Sequence, residues 1–166
     1  MRLSLSKKTY YALGMLAAGC YMAQAIAGIA GAGFALLDNI AFILTGLMLL
    51  FLASVKGTTG PDKGALFGCF FLLIGAMAFQ APLLQYILLA LVWPCFAGYE
   101  KSRDKRLTPQ FRAICILEAL WLAALILVNL GGVAAMGLPA NLLGFACAIV
   151  RGWLTLSLYR RERDER

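Results

Sequence analysis

Six apolar runs constrain this chain more than anything else in it: 9–30, 36–55, 64–79, 83–99, 110–130 and 138–159. A helical membrane span needs about 20 predominantly apolar residues. Inside hydrocarbon every backbone N–H and C=O must find its partner within the protein, which a helix achieves on its own. The fold expected is therefore all-α and polytopic, with six transmembrane helices in one transmembrane domain covering 1–166. The third and fourth runs are short and nearly fused, divided only by "FQAPLLQ", where Pro82 between Gln80 and Gln85 marks a turn. Composition excludes the main rival class: 62% of the residues are hydrophobic and 14% charged, against about 45–50% and about 25% in soluble domains.

The net charge of +7 raises the question of nucleic acid, but its distribution argues for membrane topology instead. Arg2, Lys7 and Lys8 precede the first run, Lys56 and Lys63 fall in the loop at 56–63, and Lys101, Arg103, Lys105, Arg106 and Arg112 gather at and around the loop at 100–109. Arg160, Arg161, Arg163 and Arg166 lie in the tail at 160–166, so 14 of the 15 Lys and Arg residues share one side of a six-span plan. Lys and Arg near span ends are retained in the cytoplasm. The plan that results is three antiparallel hairpins with both termini cytoplasmic, in the plasma membrane (the inner membrane in a bacterium). The aromatics Tyr10, Tyr11, Tyr99, Phe111 and Tyr159 are expected in the interfacial belt on that side. The N-terminal "KKTYYALGMLAAGC" also has the basic start, apolar core and Cys20 of a lipoprotein signal. Against cleavage, Ala17 stands where such signals usually carry Leu, and the apolar run continues past Cys20.

Two ionisable residues break the apolar pattern. Glu118 sits in the fifth run and Arg151 in the sixth, and each lies three helical turns or slightly less from an Asn at the far end, Asn129 and Asn141. At 1.5 Å per residue both are about 15–16 Å from that end, so the two are expected at one depth, as an intramembrane ion pair. A charge at mid-bilayer costs about 2.5–3.5 kcal/mol on insertion scales, and such residues are functional candidates by default. Around Arg151, Gly144, Ala148 and Thr155 form a small and polar stripe, suited to close helix packing or to the wall of a path.

Gln24, Asp38, Asn39, Gln80, Gln85, Asn129 and Asn141 collect in the outer half. Together they would form an outer vestibule of one carboxylate and several amides, and amides both donate and accept hydrogen bonds. Separately, each marks a span end, and for Asp38 and Asn39 helix capping suffices. The GxxxG pair Gly64 and Gly68, with Gly75 one heptad on, offers a packing face. The basic residues of the longest loop, Lys101, Arg103, Lys105, Arg106 and Arg112, would anchor topology, hold anionic headgroups or dock a partner.

Catalysis finds little support. The chain has no His, which removes the commonest general base and metal ligand near neutral pH. It shows no paired-carboxylate motif, phosphate-binding loop or nucleophile elbow, and its five cysteines are scattered singly without metal-site spacing. No enzyme, metal or cofactor is expected. In span number alone the outline resembles several unrelated groups, small urea or amide channels among them, and span number transfers no function. Two functions fit: a transporter or channel for a small solute, with Glu118 and Arg151 as gate or lock, and a non-transporting membrane subunit or assembly factor that docks a partner through its basic loop. The partners implied are the lipid bilayer, a second copy or another membrane protein, and a small solute.

Overall fold

The computed structural model describes residues 7–32, 35–55, 58–79 and 81–164. It holds six α-helices, α1 (Lys7–Ile29), α2 (Ala35–Ser54), α3 (Gly60–Ala78), α4 (Pro82–Arg103), α5 (Thr108–Asn129) and α6 (Gly137–Asp164), with short 3-10 turns at Lys105–Leu107 and Ala134–Met136. All six helices are long and apolar enough to cross a membrane.

Local chemistry sets the helix ends. Thr59 caps α3 by accepting from the Asp62 N–H, with Pro61 in the first turn, where a missing N–H costs nothing. Pro82 and Pro109 open α4 and α5 in the same way. Gly132 follows α5 at φ 67°, a left-handed conformation that glycine reaches without strain. The turn lets the Val133 N–H reach back to the Leu127 carbonyl at 3.0 Å.

Helices run further into the charged segments than the expected span limits. α4 continues to Arg103 and α5 begins at Thr108, so the loop expected at 100–109 shrinks to Asp104 and one 3-10 turn. Likewise α3 begins at Gly60, which puts Lys63 inside a helix rather than in the loop at 56–63, and α6 carries the tail as far as Asp164. The reason is that Lys, Arg and Glu are good helix formers, and polar side chains stop the apolar run without stopping the helix. α4 also passes through Pro94 unbroken.

Each helix touches the next in the chain, and α6 touches α1, the most extensive contact of all. The six thus close into a circle. The α1–α6 seam rests on small residues: a Cβ on Gly14 would stand 2.7 Å from the Thr155 methyl and 2.5 Å from Met48 Sδ, and one on Gly152 would touch Ala18 at 3.5 Å. Thr155 and Ala148 are fully buried, so these members of the α6 stripe serve packing rather than a path. By contrast, a Cβ on Gly64 or Gly68 of α3 would meet nothing within 4 Å, and of the three only Gly75 has neighbours, Leu88 and Phe79.

The interior is uneven. The main apolar cluster joins Tyr11 of α1, Met48, Leu49 and Leu52 of α2, Leu66 and Cys69 of α3, Trp93 and Phe96 of α4, Ile114 of α5, and Leu154 and Leu158 of α6. These positions lie toward the start of α1, α3 and α5 and the end of α2, α4 and α6. The circle is filled in that half. Exposed Leu16, Ile43, Phe71, Ile116, Leu120, Leu142 and Trp153 give the outside the apolar surface that a bilayer requires.

Candidate functional site

The other half of the circle is hollow. A cavity of about 330 Å³ is lined from all six helices: Tyr21, Gln24 and Ala25 of α1, Asp38 and Phe42 of α2, Leu73 of α3, Gln85, Tyr86, Leu89, Val92 and Trp93 of α4, Trp121 and Leu125 of α5, and Ala140, Asn141, Gly144 and Arg151 of α6. Its volume falls at the lower end of the range of about 300–1,000 Å³ typical of small-molecule sites.

Arg151 lies deepest along its helix among these residues, where the hollow half meets the filled one. Its Nε donates to Glu118 Oε1 at 2.7 Å and its Nη2 to Glu118 Oε2 at 2.8 Å, the two-pronged geometry that matches a guanidinium fork to a carboxylate. Both residues are buried, at 5% and 1% exposure. The guanidinium also lies near the rings of Tyr21 (4.8 Å), Trp93 and Trp121 (both 5.7 Å), distances at which ring quadrupoles attract a cation. Gly144 makes room for one of them, since its missing Cβ would stand 3.2 Å from Trp121 Nε1. Glu118 does not line the cavity; Arg151 does. The carboxylate therefore stands behind the guanidinium and neutralises it from the far side.

Of the seven residues considered for a vestibule, the structure brings four together on the cavity wall, Gln24, Asp38, Gln85 and Asn141. The Asn141 amide fits only because Gly28 faces it, where a Cβ would come within 2.8 Å of Oδ1. Asn39 and Asn129 do not join them: both are exposed, and Asn129 turns back to donate to the Leu125 carbonyl at 2.9 Å, satisfying the frayed end of its own helix. Gln80 lies outside the described residues. Capping does not account for Asp38 either, because α2 begins at Ala35 and places Asp38 inside its first turn.

A second buried carboxylate closes the filled half, and sequence reasoning missed it. Glu100 is 1% exposed. It accepts from Tyr11 Oη at 3.0 Å and from Arg161 Nη2 at 3.4 Å, so it ties α1, α4 and α6 together. Arg161 also approaches Asp104 at 4.0 Å. Tyr11 was expected in the interfacial belt, but burial and this hydrogen bond place it inside the circle. Two of the basic residues near the loop are also engaged, Lys101 over the Phe111 ring at 4.4 Å and Arg103 with Tyr99 Oη at 2.7 Å. Arg103, Lys105, Arg106 and Arg112 are exposed. Gln110, buried at the start of α5, donates to Ser157 Oγ at 3.4 Å and leaves its carbonyl oxygen unpartnered among the described residues.

Comparison with protein-family models, with curated proteins and with solved structures finds no match.

Proposed function

We propose that this protein is a transporter or channel for a small polar solute. The observation that carries this reading is the cavity, walled by every helix, apolar over much of its surface and furnished with Gln24, Asp38, Gln85 and Asn141. A bundle needing only to pack has no use for a hollow furnished with polar side chains, which at membrane depth are found in the protein interior or lining a water-filled space. The six helices are read as three antiparallel hairpins in a plasma membrane, with both ends of the chain and the basic segments in the cytoplasm. The cavity then faces away from the cytoplasm. The filled half, with its Tyr11–Glu100–Arg161 tie, is the inner closure that a solute must pass, and the Glu118–Arg151 pair forms the floor between the two.

Purified protein reconstituted in liposomes tests this by stopped-flow swelling or shrinkage against a panel of small neutral and charged solutes. Flux is expected for the unmodified chain. Gln85→Trp, which places a large side chain in the cavity, is expected to lose that flux while still folding and inserting. No flux for any solute, from protein shown to be folded and inserted, contradicts the proposal.

A second reading, a membrane subunit that docks another protein, draws on the open glycine face of Gly64 and Gly68 and on exposed Lys105, Arg106 and Arg112. A stably co-purifying membrane protein, together with absent flux, would favour it.

A further inference from the structure

The charges on the cavity wall narrow the class of solute, an inference that rests on reading the cavity as a solute site. We infer that the cavity selects a small organic cation, an ammonium group held between the Asp38 carboxylate and neighbouring aromatic and amide side chains.

Among the described residues, two charged ones line the cavity, Asp38 and Arg151. The Arg151 charge is already matched: both oxygens of Glu118 take its Nε and Nη2 protons from behind, and three aromatic rings lie around its guanidinium. An arriving anion would have to compete with a two-pronged carboxylate partner that is fully buried and cannot be hydrated away. The floor therefore presents a neutral pair, and the charge left over belongs to Asp38. The Arg151 charge also attracts Asp38, but with Glu118 counted the three ionised groups carry one net negative charge, which low-dielectric walls focus into the space that Asp38 faces.

The remaining wall suits the same ligand. Tyr86 and Phe42 add aromatic surface beyond the three residues around Arg151, and an ammonium with methyl substituents gains both from ring quadrupoles and from burial against such surface. Gln85 and Asn141 supply amide oxygens that accept from N–H or O–H groups. A strongly hydrated metal ion draws nothing from the aromatic surface. A neutral solute can donate hydrogen bonds to Asp38 but gains no charge pairing from it. A small alkylammonium uses both, and a volume of about 330 Å³ holds one with room for a short polar substituent.

Binding to the purified full-length protein tests the inference independently of flux. Trp93 and Trp121 line the cavity, whereas Trp153 faces outward, so intrinsic fluorescence reports occupancy above a constant background. The probes are tetramethylammonium, choline, the neutral isostere of choline with carbon in place of nitrogen, and acetate. Choline is expected to bind saturably and at least tenfold more tightly than its isostere. Asp38→Asn is expected to abolish that difference while leaving the thermal unfolding midpoint close to that of the unmodified protein, and Asp38→Glu to retain part of it. Equal affinity for choline and its isostere, tighter binding of acetate, or saturable binding by none of the probes overturns the inference. Failure here is separable from failure of the pathway reading. Flux of neutral solutes without cation preference leaves the pathway standing, whereas cation binding without flux leaves the site standing and removes the pathway.

Discussion

The two halves of the helical circle are built on opposite terms. One half is packed solid with Met48, Leu66, Phe96, Leu154 and Leu158 and closed by a carboxylate that joins three helices. The other encloses a cavity whose wall carries amides, a carboxylate and aromatic rings. One buried acid–arginine pair stands at the base of the cavity and another closes the filled half, and the two pairs differ in kind. Glu118 and Arg151 meet at 2.7 and 2.8 Å in two parallel hydrogen bonds with both side chains buried. Glu100 and Arg161 meet once at 3.4 Å, and the Arg161 side chain is 22% exposed. The first is a fixed strut whose carboxylate is closed off from solvent. The second is partly exposed through Arg161 and can exchange its partner for solvent, as the proposed inner closure requires. Packing thus stabilises one half, while the other gives up packing and keeps a cavity.

Substitutions can break or sharpen this contrast. The largest effect is expected at the strut: Arg151→Leu leaves Glu118 buried and unpaired, which costs about 3–5 kcal/mol, whereas joint replacement with Glu118→Leu recovers most of the loss because two apolar side chains need no partner. Thermal unfolding in detergent across the four-variant cycle measures it, and additive losses from the two changes would break the pairing. At the inner closure, Glu100→Gln is expected to cost less, about 1.5–3 kcal/mol, since it removes charge-assisted hydrogen bonds while Arg161 keeps access to water. A loss as large as that at Arg151 would erase the distinction between strut and closure. On the seam of the filled half, Gly14→Ala drives a Cβ into Met48 and Thr155, and overpacking of this kind costs about 1–3 kcal/mol, read as a lowered unfolding midpoint. The smallest stability change is expected on the cavity wall, where Gln85→Ala should fall within about 0.5 kcal/mol yet alter solute flux. Equal loss of stability there would mean that the cavity wall is ordinary packing.

How much of this could be read in the sequence depended on contrast with the background. The apolar runs gave away the six helices, and Glu118 and Arg151 stood out because each interrupts hydrocarbon-like sequence. Their common distance from the far end pointed to shared depth. Glu100 was hidden for the opposite reason: it opens a run of charged residues, "EKSRDKR", in which one acid looks like any other solvated charge. Only the continuation of α4 past Tyr99 carries Glu100 inward, and a helix end set by polar residues has no sharp signal. The aromatic surround of Arg151 was equally illegible, because Tyr21, Trp93 and Trp121 sit on three different helices whose relative rotation no local pattern fixes. The same limit explains the vestibule. Seven polar residues were expected in the outer half, but among the six described Asn39 and Asn129 turn outward while Gln24, Asp38, Gln85 and Asn141 turn inward.

The central claim is that the hollow half is an aqueous site opening on the face opposite the basic segments. Cysteine accessibility tests it most directly, in a background with all five native cysteines replaced. Asn141→Cys places a thiol on the cavity wall, and Lys105→Cys places one on the exposed basic turn. With a membrane-impermeant maleimide applied to sealed vesicles of either orientation, the expected result is that each position labels from one face only, and that the two faces are opposite. Labelling of both positions from the same face, or no labelling of Asn141→Cys from either, would contradict the claim.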